Sequence, residues 1–577
     1  MSRQLGRWRS VGLVLALITG IGLTSAGGAP AAARETVHAG AQAAAAREAG
    51  RSPAQAAAAM QPGWNLGNTF DSTGDDETSW GNPRVTPELL DGIRAQGYKS
   101  IRIPVTWGQH QGPAPDYTID PAYLNRVREV VGWALDDGFY VMLNIHHDSW
   151  QWINTMPAEH DTVLARYNAI WTQVAGAFRD ASPRLVLESV NEPQFTGGDP
   201  AALLAELNTS FHRIVRGTGG GNTKRLLVLP TLHTSSDQVH LDALTATFAA
   251  LGDPNLIATV HYYGYWPFSV NVAGGYRFDA TAQQDVLDTF ARVHAAFVAK
   301  GIPVIIGEYG LLGFDRHTGT IEQGEKLKFF ELFGAQARAR GITTMLWDNG
   351  QHFDRAALVW RDTELFGQIS SSWRTRSGTA SSDLVFVRRS APVTAQTITL
   401  NLNGTGFTHV RLGSTTLRRG PDYTVSGDQL TLTAGLLTRL TQKQGYGVST
   451  SLSLRFSRGV PWRLDVVSYD TPALSAVTGT TAAYAIPTAF NGDRLATMTA
   501  TYADGSNAGP HNWTPYKEFD RAFTPDQAAG VIRLTPEFFA EVTDGAPVTL
   551  KFYFWSGAIL TYQVTRTGTE VTGTLAG

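Results

Sequence analysis

The 577-residue sequence contains no cysteine and carries little net charge. The absence of cysteine excludes disulfide bridges and thiolate metal sites, so the protein must rely on its hydrophobic cores for stability. Lysine plus arginine number 47 against 50 for aspartate plus glutamate, which gives a net charge of −3 without long charge runs. This balance gives no support for a nucleic-acid partner or another polyanion.

The N-terminus has the three regions of a secretory signal peptide. Arginines precede the apolar stretch Val11–Leu23, and small residues follow it as far as Ala33. The apolar stretch is too short for a membrane span, although a retained membrane anchor is the alternative interpretation. We predict a signal peptide at 1–33, secretion to the extracellular space and no membrane association after its removal. Residues 34–60 lack a lasting apolar stripe and are predicted to be a flexible leader outside the fold.

Strand-like and helix-like patterns alternate between residues 61 and 376. Eight short aliphatic runs predict strands, and the segments between them have apolar residues near helical spacing. The runs are centred near Trp64, Arg102, Met142, Leu187, Leu227, Thr259, Ile305 and Met345. This pattern predicts an α/β fold, a (β/α)8 TIM barrel, whose working residues emerge at the carboxyl ends of the strands.

Two of the predicted strands lead into a glutamate. The run that begins at Leu185 ends in Asn191, Glu192 and Pro193, and the run around Ile305 ends in Glu308. Because a barrel returns all its strand ends to one face, these two carboxylates are expected to face each other. Such a pair can break a glycosidic bond.

The other predicted strand ends are polar and aromatic, and together they form a set of motifs. The motifs are Ile101-Arg-Ile-Pro104, Asn144-Ile-His-His147, Asn191-Glu-Pro193, His261-Tyr-Tyr263, Gly307-Glu-Tyr-Gly310 and Trp347. In this order they resemble glycoside hydrolase family 5, a family of retaining endo-β-glycanases. The stretches Glu77–Pro83 and Trp360–Phe366 further resemble its broad-specificity cellulase and xyloglucanase subfamily.

The resemblance implies roles for the two glutamates and their neighbours. Glu192 would be the general acid/base and Glu308 the nucleophile, with carboxyl groups about 5–5.5 Å apart rather than the roughly 6.5–9.5 Å of inverting enzymes. We expect a raised pKa for Glu192, since it must stay protonated while Glu308 is ionised. Arg102 would keep Glu308 ionised, unless it forms only a structural ion pair, and Tyr263 would hold the angle of the nucleophile.

Further residues would contact the sugar or tune the acids. By the same resemblance, Asn191 would bind the sugar 2-hydroxyl and His261 would tune Glu192. His146, with help from His147, would bind hydroxyls just before the cleavage point, and Trp347 would form the floor there.

Outer sugar subsites are predicted from the loop after the first strand and from tryptophans. Asn68 and Asp71 resemble positions that bind hydroxyls further along the glycan. Among the candidate platforms we prefer Trp80, because it lies in a polar loop; each of the others has the core as its alternative. The other candidates are Trp64, Trp107, Trp150 and Trp152.

The run His146-His147-Asp148 is the one stretch with the composition of a metal site. We predict that it binds no metal, because adjacent residues of a strand point to opposite faces. No cofactor is predicted either.

After the barrel the composition changes to Thr, Ser, Val, Leu and Gly in short alternating runs, which predict a β-sandwich over residues 379–472. Asp422–Asp428 and Trp462–Asp465 resemble the immunoglobulin-like X2 module, for which we expect a spacer role. A second β-sandwich is predicted over residues 473–577.

The last segment resembles carbohydrate-binding module family 46 through Trp513-Thr-Pro-Tyr516 and Phe554-Trp-Ser-Gly557. Phe552 and Phe554 share one face of an alternating strand, and one of the two faces must be core. Trp513, in a polar loop, is the tryptophan that we expect to reach sugar. The short junction before this module predicts that it packs on the barrel and extends its cleft.

The predicted function is that of a secreted, monomeric, retaining endo-β-1,4-glucanase. Its partner would be plant cell-wall β-glucan: cellulose, mixed-linkage glucan or xyloglucan. A xyloglucan-specific endoglucanase and an endo-β-mannanase are the enzymatic alternatives. A catalytically inactive carbohydrate-binding protein is disfavoured by the presence of both glutamates. An adhesion protein with the barrel as scaffold is disfavoured by the polar strand ends.

Overall fold

A computed structural model describes residues 50–442 and 445–575 of the chain. The predicted signal peptide and residues 34–49 of the predicted leader lie outside the described residues. Within the described ranges, no helix has the length and apolar character needed to traverse a bilayer.

Eight parallel strands form a closed barrel in the order in which they occur along the chain. They are β1 (Gly63–Asn65), β2 (Ser100–Ile103), β3 (Tyr140–Asn144), β4 (Leu185–Glu188), β5 (Leu227–Pro230), β6 (Leu256–Tyr262), β7 (Val304–Tyr309) and β8 (Thr343–Leu346). All their residues are buried, which explains their aliphatic sequences. The predicted fold class, a TIM barrel followed by two β-sandwich modules, is confirmed.

Helices surround the barrel and connect its strands. They are α1 (Pro53–Ala59), α2 (Pro87–Ala95), α3 (Pro121–Asp136), α4 (His160–Ala177), α5 (Pro200–Gly217), α6 (Gln238–Leu251), α7 (Ala280–Ala296), α8 (Gln323–Arg340) and α9 (Thr363–Ser372). Several begin at a local capping signal: Asp199 accepts hydrogen bonds from the first turn of α5, and Pro200 occupies its first position.

The prediction that residues 34–60 lie outside the fold is wrong for its last part. Ser52 caps α1 in a reciprocal capping box with Gln55. Ala56, Ala57 and Met60 are buried against the N-terminal ends of the barrel strands. The alanine-rich sequence looked featureless because a helix of seven residues has only two turns in which to show a pattern.

The second module has two sheets and one helix. The first sheet contains Thr379–Ala380, Gln396–Asn401, Gln429–Leu432 and Tyr423–Ser426. The second contains Leu384–Arg388, Trp462–Tyr469, Gly447–Phe456, Phe407–Leu412 and Thr415–Thr416, and the helix is Ala434–Thr441. Its buried residues form one cluster with those of the barrel.

The barrel and the second module also meet through charged groups. Arg463 Nε lies 3.0 Å from Oε2 of Glu364 in α9. The carboxyl group of Asp383 lies beside that of Glu322, which caps α8. Asp383 also packs so closely on Gly324 that a Cβ there would lie 2.6 Å from Asp383 Cγ. Burial raises the pKa of Asp383 well above its usual value, as does the negative charge of Glu322.

The third module also has two sheets and a short helix. The first sheet contains Ala473–Leu474, Tyr484–Ala489, Val531–Leu534 and Phe523–Asp526. The second contains Val477–Thr480, Glu570–Leu575, Ile559–Thr567, Pro547–Phe554 and Leu495–Tyr502, and the helix is Pro536–Ala540. Its core is a separate cluster.

The third module packs on the barrel at the end of the strand that carries alternating aromatics. Phe552 and Phe554 belong to the module's core. Directly after the end of this strand, the ring of Trp555 lies 5.4 Å from that of Tyr276, and Arg277 stacks over the same indole at 4.7 Å. The turn that follows the strand therefore contacts the barrel.

Candidate active site

Two glutamates meet at the C-terminal face of the barrel. Glu308 lies near the end of β7, and Glu192 lies in the loop after β4. An oxygen of one carboxylate lies within 4.8 Å of an oxygen of the other. Such a close approach agrees with the carboxyl separation of about 5–5.5 Å that retaining enzymes use.

The backbone on both sides is shaped to bring these glutamates together. Glu192 has a left-handed φ of 40°, a strained conformation that typically marks functional positions. The pairing of β7 with both neighbours is interrupted around Gly307, where a Cβ would lie only 2.8 Å from Thr259 Oγ1. Such a bulge re-aims the side chain that follows it, here Glu308.

A fully buried arginine lies beside Glu308. Arg102 Nη1 donates to Glu308 Oε1 at 2.6 Å, and Nε donates to Glu188 Oε2 at 2.8 Å. Asn65 accepts from Nη1 at 3.1 Å and Asn191 from Nη2 at 2.8 Å. Burial alone would lower the pKa of Arg102, but the two glutamates outweigh it and raise the pKa. The guanidinium is therefore a fixed positive charge under the site.

His261 and Tyr263 approach the glutamates from β6 and the loop after it. The Tyr263 hydroxyl donates to Glu308 Oε2 at 2.6 Å. Burial and the negative charge of Glu308 raise the Tyr263 pKa well above its usual value, so the hydroxyl keeps its proton. His261 Nδ1 lies 2.9 Å from Glu192 Oε1 and 3.5 Å from Glu308 Oε2.

The raised pKa expected for Glu192 is wrong for this ligand-free site. Burial raises the pKa of the carboxyl, but the hydrogen bond and positive charge of His261 outweigh it, with further contributions from Arg102 and His147. The pKa of Glu192 therefore lies below its usual value. The two glutamates do have different surroundings, as expected: the Glu192 side chain is 45% exposed and the Glu308 side chain 5%.

His146 and His147 lie on the same side of the cleft. Their rings are 4.5 Å apart, because β3 ends at Asn144 and the alternation of a strand no longer applies. The prediction that His146 and His147 point to opposite faces is therefore wrong. Asp148 does turn away, accepting from the backbone of Trp107 at 2.8 Å. Burial lowers the pKa of His146 well below its usual value, and nearby positive charges lower it further.

Two side-chain groups bring possible metal ligands together among the described residues. One is Asp71, His146 and His147, and the other is Glu192, His261 and Glu308; in each, the ligating atoms lie within 4.8 Å of one another. In the first group both Asp71 oxygens already accept backbone hydrogen bonds.

Trp347 lies next to the histidines after β8. Its ring is parallel to that of His146, at an angle of 3° and a centroid distance of 5.9 Å. Gly67 packs under it so closely that a Cβ would lie 2.8 Å from the indole. The close contact fixes the plane of the ring as a flat wall of the cleft.

The loop after β1 places Asn68 and Asp71 differently from expectation. Asp71 is fully buried and accepts from the backbone of Asn68 at 2.9 Å and of Thr69 at 2.7 Å. It therefore shapes the loop, and the expected contact with sugar hydroxyls is not supported. Asn68 is partly exposed and has a left-handed φ of 52°.

Only some of the candidate tryptophans reach the surface. Trp80 is 39% exposed, with its ring 5.2 Å from that of His147, and Trp150 donates to His147 Nδ1 at 2.9 Å. Trp64 and Trp107 are fully buried, as their core alternative predicted. In the third module Trp513 is 57% exposed.

Comparison with known proteins decides the family. Residues 64–353 match the family model for cellulases of glycosyl hydrolase family 5. Endoglucanase B of Paenibacillus lautus is 56% identical over 521 residues, which make up 89% of this chain and 92% of that protein. The chain belongs to glycosyl hydrolase family 5.

Two further family models match the chain after the family 5 domain. Residues 379–466 match the carbohydrate binding domain X2, and residues 470–574 match the carbohydrate binding domain CBM46. The order of modules predicted from the motifs is confirmed, whereas their boundaries stay predictions.

Two solved structures share all three modules. A trimodular endoglucanase of subfamily 4 is 50% identical, with a TM-score of 0.89 over 90% of this chain and 99% of that one. The tri-modular endo-β-1,4-glucanase B from Bacillus halodurans is 48% identical, with a TM-score of 0.89 over 91% and 100%. This family 5 protein is therefore a retaining endo-β-1,4-glucanase that acts on a polysaccharide, as predicted.

Sequence reasoning missed several residues of this family 5 site. Glu188, in β4, accepts a hydrogen bond from Arg102. The sequence did carry a signal for this role, because a charged residue inside an aliphatic strand usually has a partner. Asp315, in the loop after β7, accepts from Asn349 at 3.2 Å, and no motif marked it. Trp266 is 41% exposed, with its ring 5.9 Å from that of Trp513.

Proposed function

We propose that Glu308 is the nucleophile and Glu192 the general acid/base of a double displacement. The observation that carries this proposal is the distance of no more than 4.8 Å between their carboxylate oxygens. Glu308 attacks the anomeric carbon while Glu192 protonates the leaving glycosidic oxygen. Glu192 then removes a proton from the water that hydrolyses the glycosyl-enzyme.

The neighbours of the glutamates have supporting roles in this proposal. Arg102 keeps Glu308 ionised, and Tyr263 orients it and stays protonated as a hydrogen-bond donor. Arg102 donates a hydrogen bond to the side-chain oxygen of Asn191. The amide N–H groups of Asn191 are therefore the ones that bind the sugar 2-hydroxyl. His261 hydrogen-bonds Glu192 and sets its pKa.

The glycone side of the cleft is formed by aromatic and imidazole rings. His146 is neutral at physiological pH and either accepts a hydrogen bond from a sugar hydroxyl or donates one to it. His147 does the same beside it. Trp347 and Trp80 provide flat faces on which the C–H surface of a pyranose packs. Asn68 remains a candidate for a subsite further along.

We also propose a broad β-1,4-glucan specificity that includes xyloglucan. A GH5 structure described as a xyloglucan-specific endo-β-1,4-glucanase is 31% identical, with a TM-score of 0.50 over 54% of this chain. The pair Trp266 and Trp513 extends an aromatic surface from the barrel onto the third module, which suits a branched chain. Trp513→Ala should slow xyloglucan hydrolysis by roughly 10-fold, because one aromatic contact with the sugar is lost, and should leave hydrolysis of an aryl cellobioside unaffected.

The catalytic assignment is tested by reducing-sugar release from a panel of polysaccharides. Glu308→Gln should abolish hydrolysis, and Glu192→Gln should lower it by roughly 10²–10⁴-fold on substrates with a poor leaving group. The matched control is Glu129→Gln, which changes a half-exposed surface glutamate. Activity on mannan above that on glucans would favour the mannanase alternative. Activity retained in Glu308→Gln would contradict the assignment.

Secretion completes the proposed function. The chain is exported, loses its signal peptide within residues 26–33 and works outside the cell as a monomer. N-terminal sequencing of the protein from culture supernatant tests export and the cleavage position, and its elution volume in size-exclusion chromatography tests the monomeric state.

A further inference from the structure

The loop between β7 and α8 carries two neighbouring charged residues that contact different parts of the molecule. Asp315 contacts the cleft: its Oδ1 accepts from Asn349 Nδ2 at 3.2 Å. Asn349 follows Trp347 by two residues. Arg316 contacts the third module: its Nη1 lies 2.8 Å from Glu518 Oε1.

Asp315 is a third acid near the two glutamates. Although Asp315 is exposed at the rim of the cleft, the protein around its carboxyl and the negative charge of Glu308 raise its pKa to about 7, with a smaller contribution from Glu192. Arg316 and a hydrogen bond from Trp347 act in the opposite direction. The negative charge of Asp315 also raises the pKa of Tyr263, on the neighbouring loop.

On the other side of the loop, Glu518 is a buried anchor. Its side chain is only 3% exposed, and its second oxygen accepts from His511 Nε2 at 2.6 Å. The His511 ring in turn lies 5.7 Å from that of Trp266 and 6.1 Å from that of Trp513. The same carboxylate therefore contacts the loop of Asp315 directly and is linked to the aromatic pair of the outer cleft only through His511.

A second anchor holds the far end of the same loop. Asn271 is 3% exposed and donates through Nδ2 to the carbonyl of Thr320, at 3.2 Å, and to the carbonyl of Ala496, at 2.9 Å. Its own carbonyl accepts from Phe519 N at 3.1 Å. His317 packs on the Phe519 ring at 5.5 Å.

We propose that Asp315 is a positioning residue of the active site and that the third module holds it in place through the Arg316–Glu518 ion pair. Asp315 fixes Asn349 and Trp347 on the loop after β8, next to the sugar subsite before the cleavage point. The third module thus acts on the barrel's own subsites as well as adding a surface for longer chains. This inference rests on the proposed roles of Glu192, Glu308 and Trp347.

The test uses the full chain and an aryl β-cellobioside, a short substrate with only two glucose units. Asp315→Asn keeps the shape of the side chain and loses its ionisation. Arg316→Gln breaks the ion pair at a half-exposed side chain, so the fold should tolerate it. The control, Glu570→Gln, changes an exposed glutamate of the same module.

We expect Asp315→Asn and Arg316→Gln each to lower kcat by about 3- to 30-fold, as misplaced subsites do, with little change for the control. The pH profile of kcat/KM should show an ionisation near pH 7 that disappears in Asp315→Asn. In Arg316→Gln it should move to higher pH, because a positive charge is lost. The double variant should be no slower than the slower single variant within about 2-fold, because both act through one loop.

Several results would overturn the proposal. An unchanged pH profile in Asp315→Asn would mean that the carboxyl has only a structural role. If the losses multiply in the double variant, or if Arg316→Gln keeps the wild-type kcat, the third module does not act on the subsites through this ion pair. If wild type is active and Glu308→Gln is not, these failures leave the proposed catalytic pair intact.

Discussion

Arg102 Nε lies 2.8 Å from Glu188 Oε2, and both side chains are fully buried. Glu188 therefore shares the guanidinium with Glu308 and keeps it from moving. Glu188→Gln should destabilise the fold by about 3 kcal/mol, since it leaves part of a buried charge uncompensated. We also expect kcat to fall by about 10-fold or more as Arg102 shifts. Thermal unfolding and kcat on a soluble glucan measure the two effects, and a fully active, equally stable variant would contradict them.

Tyr263→Phe removes one hydrogen bond to the nucleophile. A hydrogen bond to a charged group contributes about 1.5–3 kcal/mol, so kcat should fall by roughly 10- to 100-fold. Stability should hardly change, because the ring stays in place. Tyr265→Phe is the matched control, on the same loop and without a described contact to either glutamate. Equal rates for the two variants would argue against the assigned role.

His261→Ala should move the alkaline limb of the kcat/KM profile to higher pH. In the wild type, burial raises the pKa of Glu192 and His261 lowers it by hydrogen bond and charge. Without His261 the effect of burial is less compensated and the pKa of Glu192 rises, so the acid keeps its proton at higher pH. The profile of kcat/KM reports the free enzyme, the state described here. A limb that stays in place or moves to lower pH would show that another group controls it.

Asp383→Asn should stabilise the junction between the barrel and the second module at alkaline pH. The folded-state pKa of Asp383 is raised well above that of the unfolded chain. Folding therefore retains a proton that the unfolded chain releases, and stability falls as pH rises between the two values. Asparagine removes this penalty, and its amide N–H groups are donors for the neighbouring Glu322 carboxylate.

Calorimetry at two pH values checks this change. We expect an unfolding temperature about 1–3 °C higher than wild type at pH 8 and no difference at pH 4. Asp428→Asn, at a surface turn of the same module, serves as the control. A gain that is equal at both pH values would point to a cause other than titration.

The barrel was readable from the sequence for a simple reason. Parallel strands covered on both faces must be aliphatic, so each appears as a short apolar run between turn residues. Helix α1 was not recognised because it is short. The predicted alternation in the modules followed from sheets with one buried face.

The site was predictable only where a side chain's role follows from its place at a strand end. Glu192, Glu308 and Tyr263 were found in this way. Asp315 was not, because its position depends on a loop and on a distant module. The direction of the Glu192 pKa depends on a 2.9 Å contact with His261, and motifs carry no distances.

The seven-residue helix before the barrel has a practical consequence for shortened forms of the enzyme. A version that starts at Gln61, where the β/α pattern begins, would strip Met60 and its alanine neighbours from the barrel floor. The apolar patch exposed in this way would promote self-association. Recombinant yields would therefore fall, although every residue of the cleft is retained. Truncations should begin ahead of Ser52.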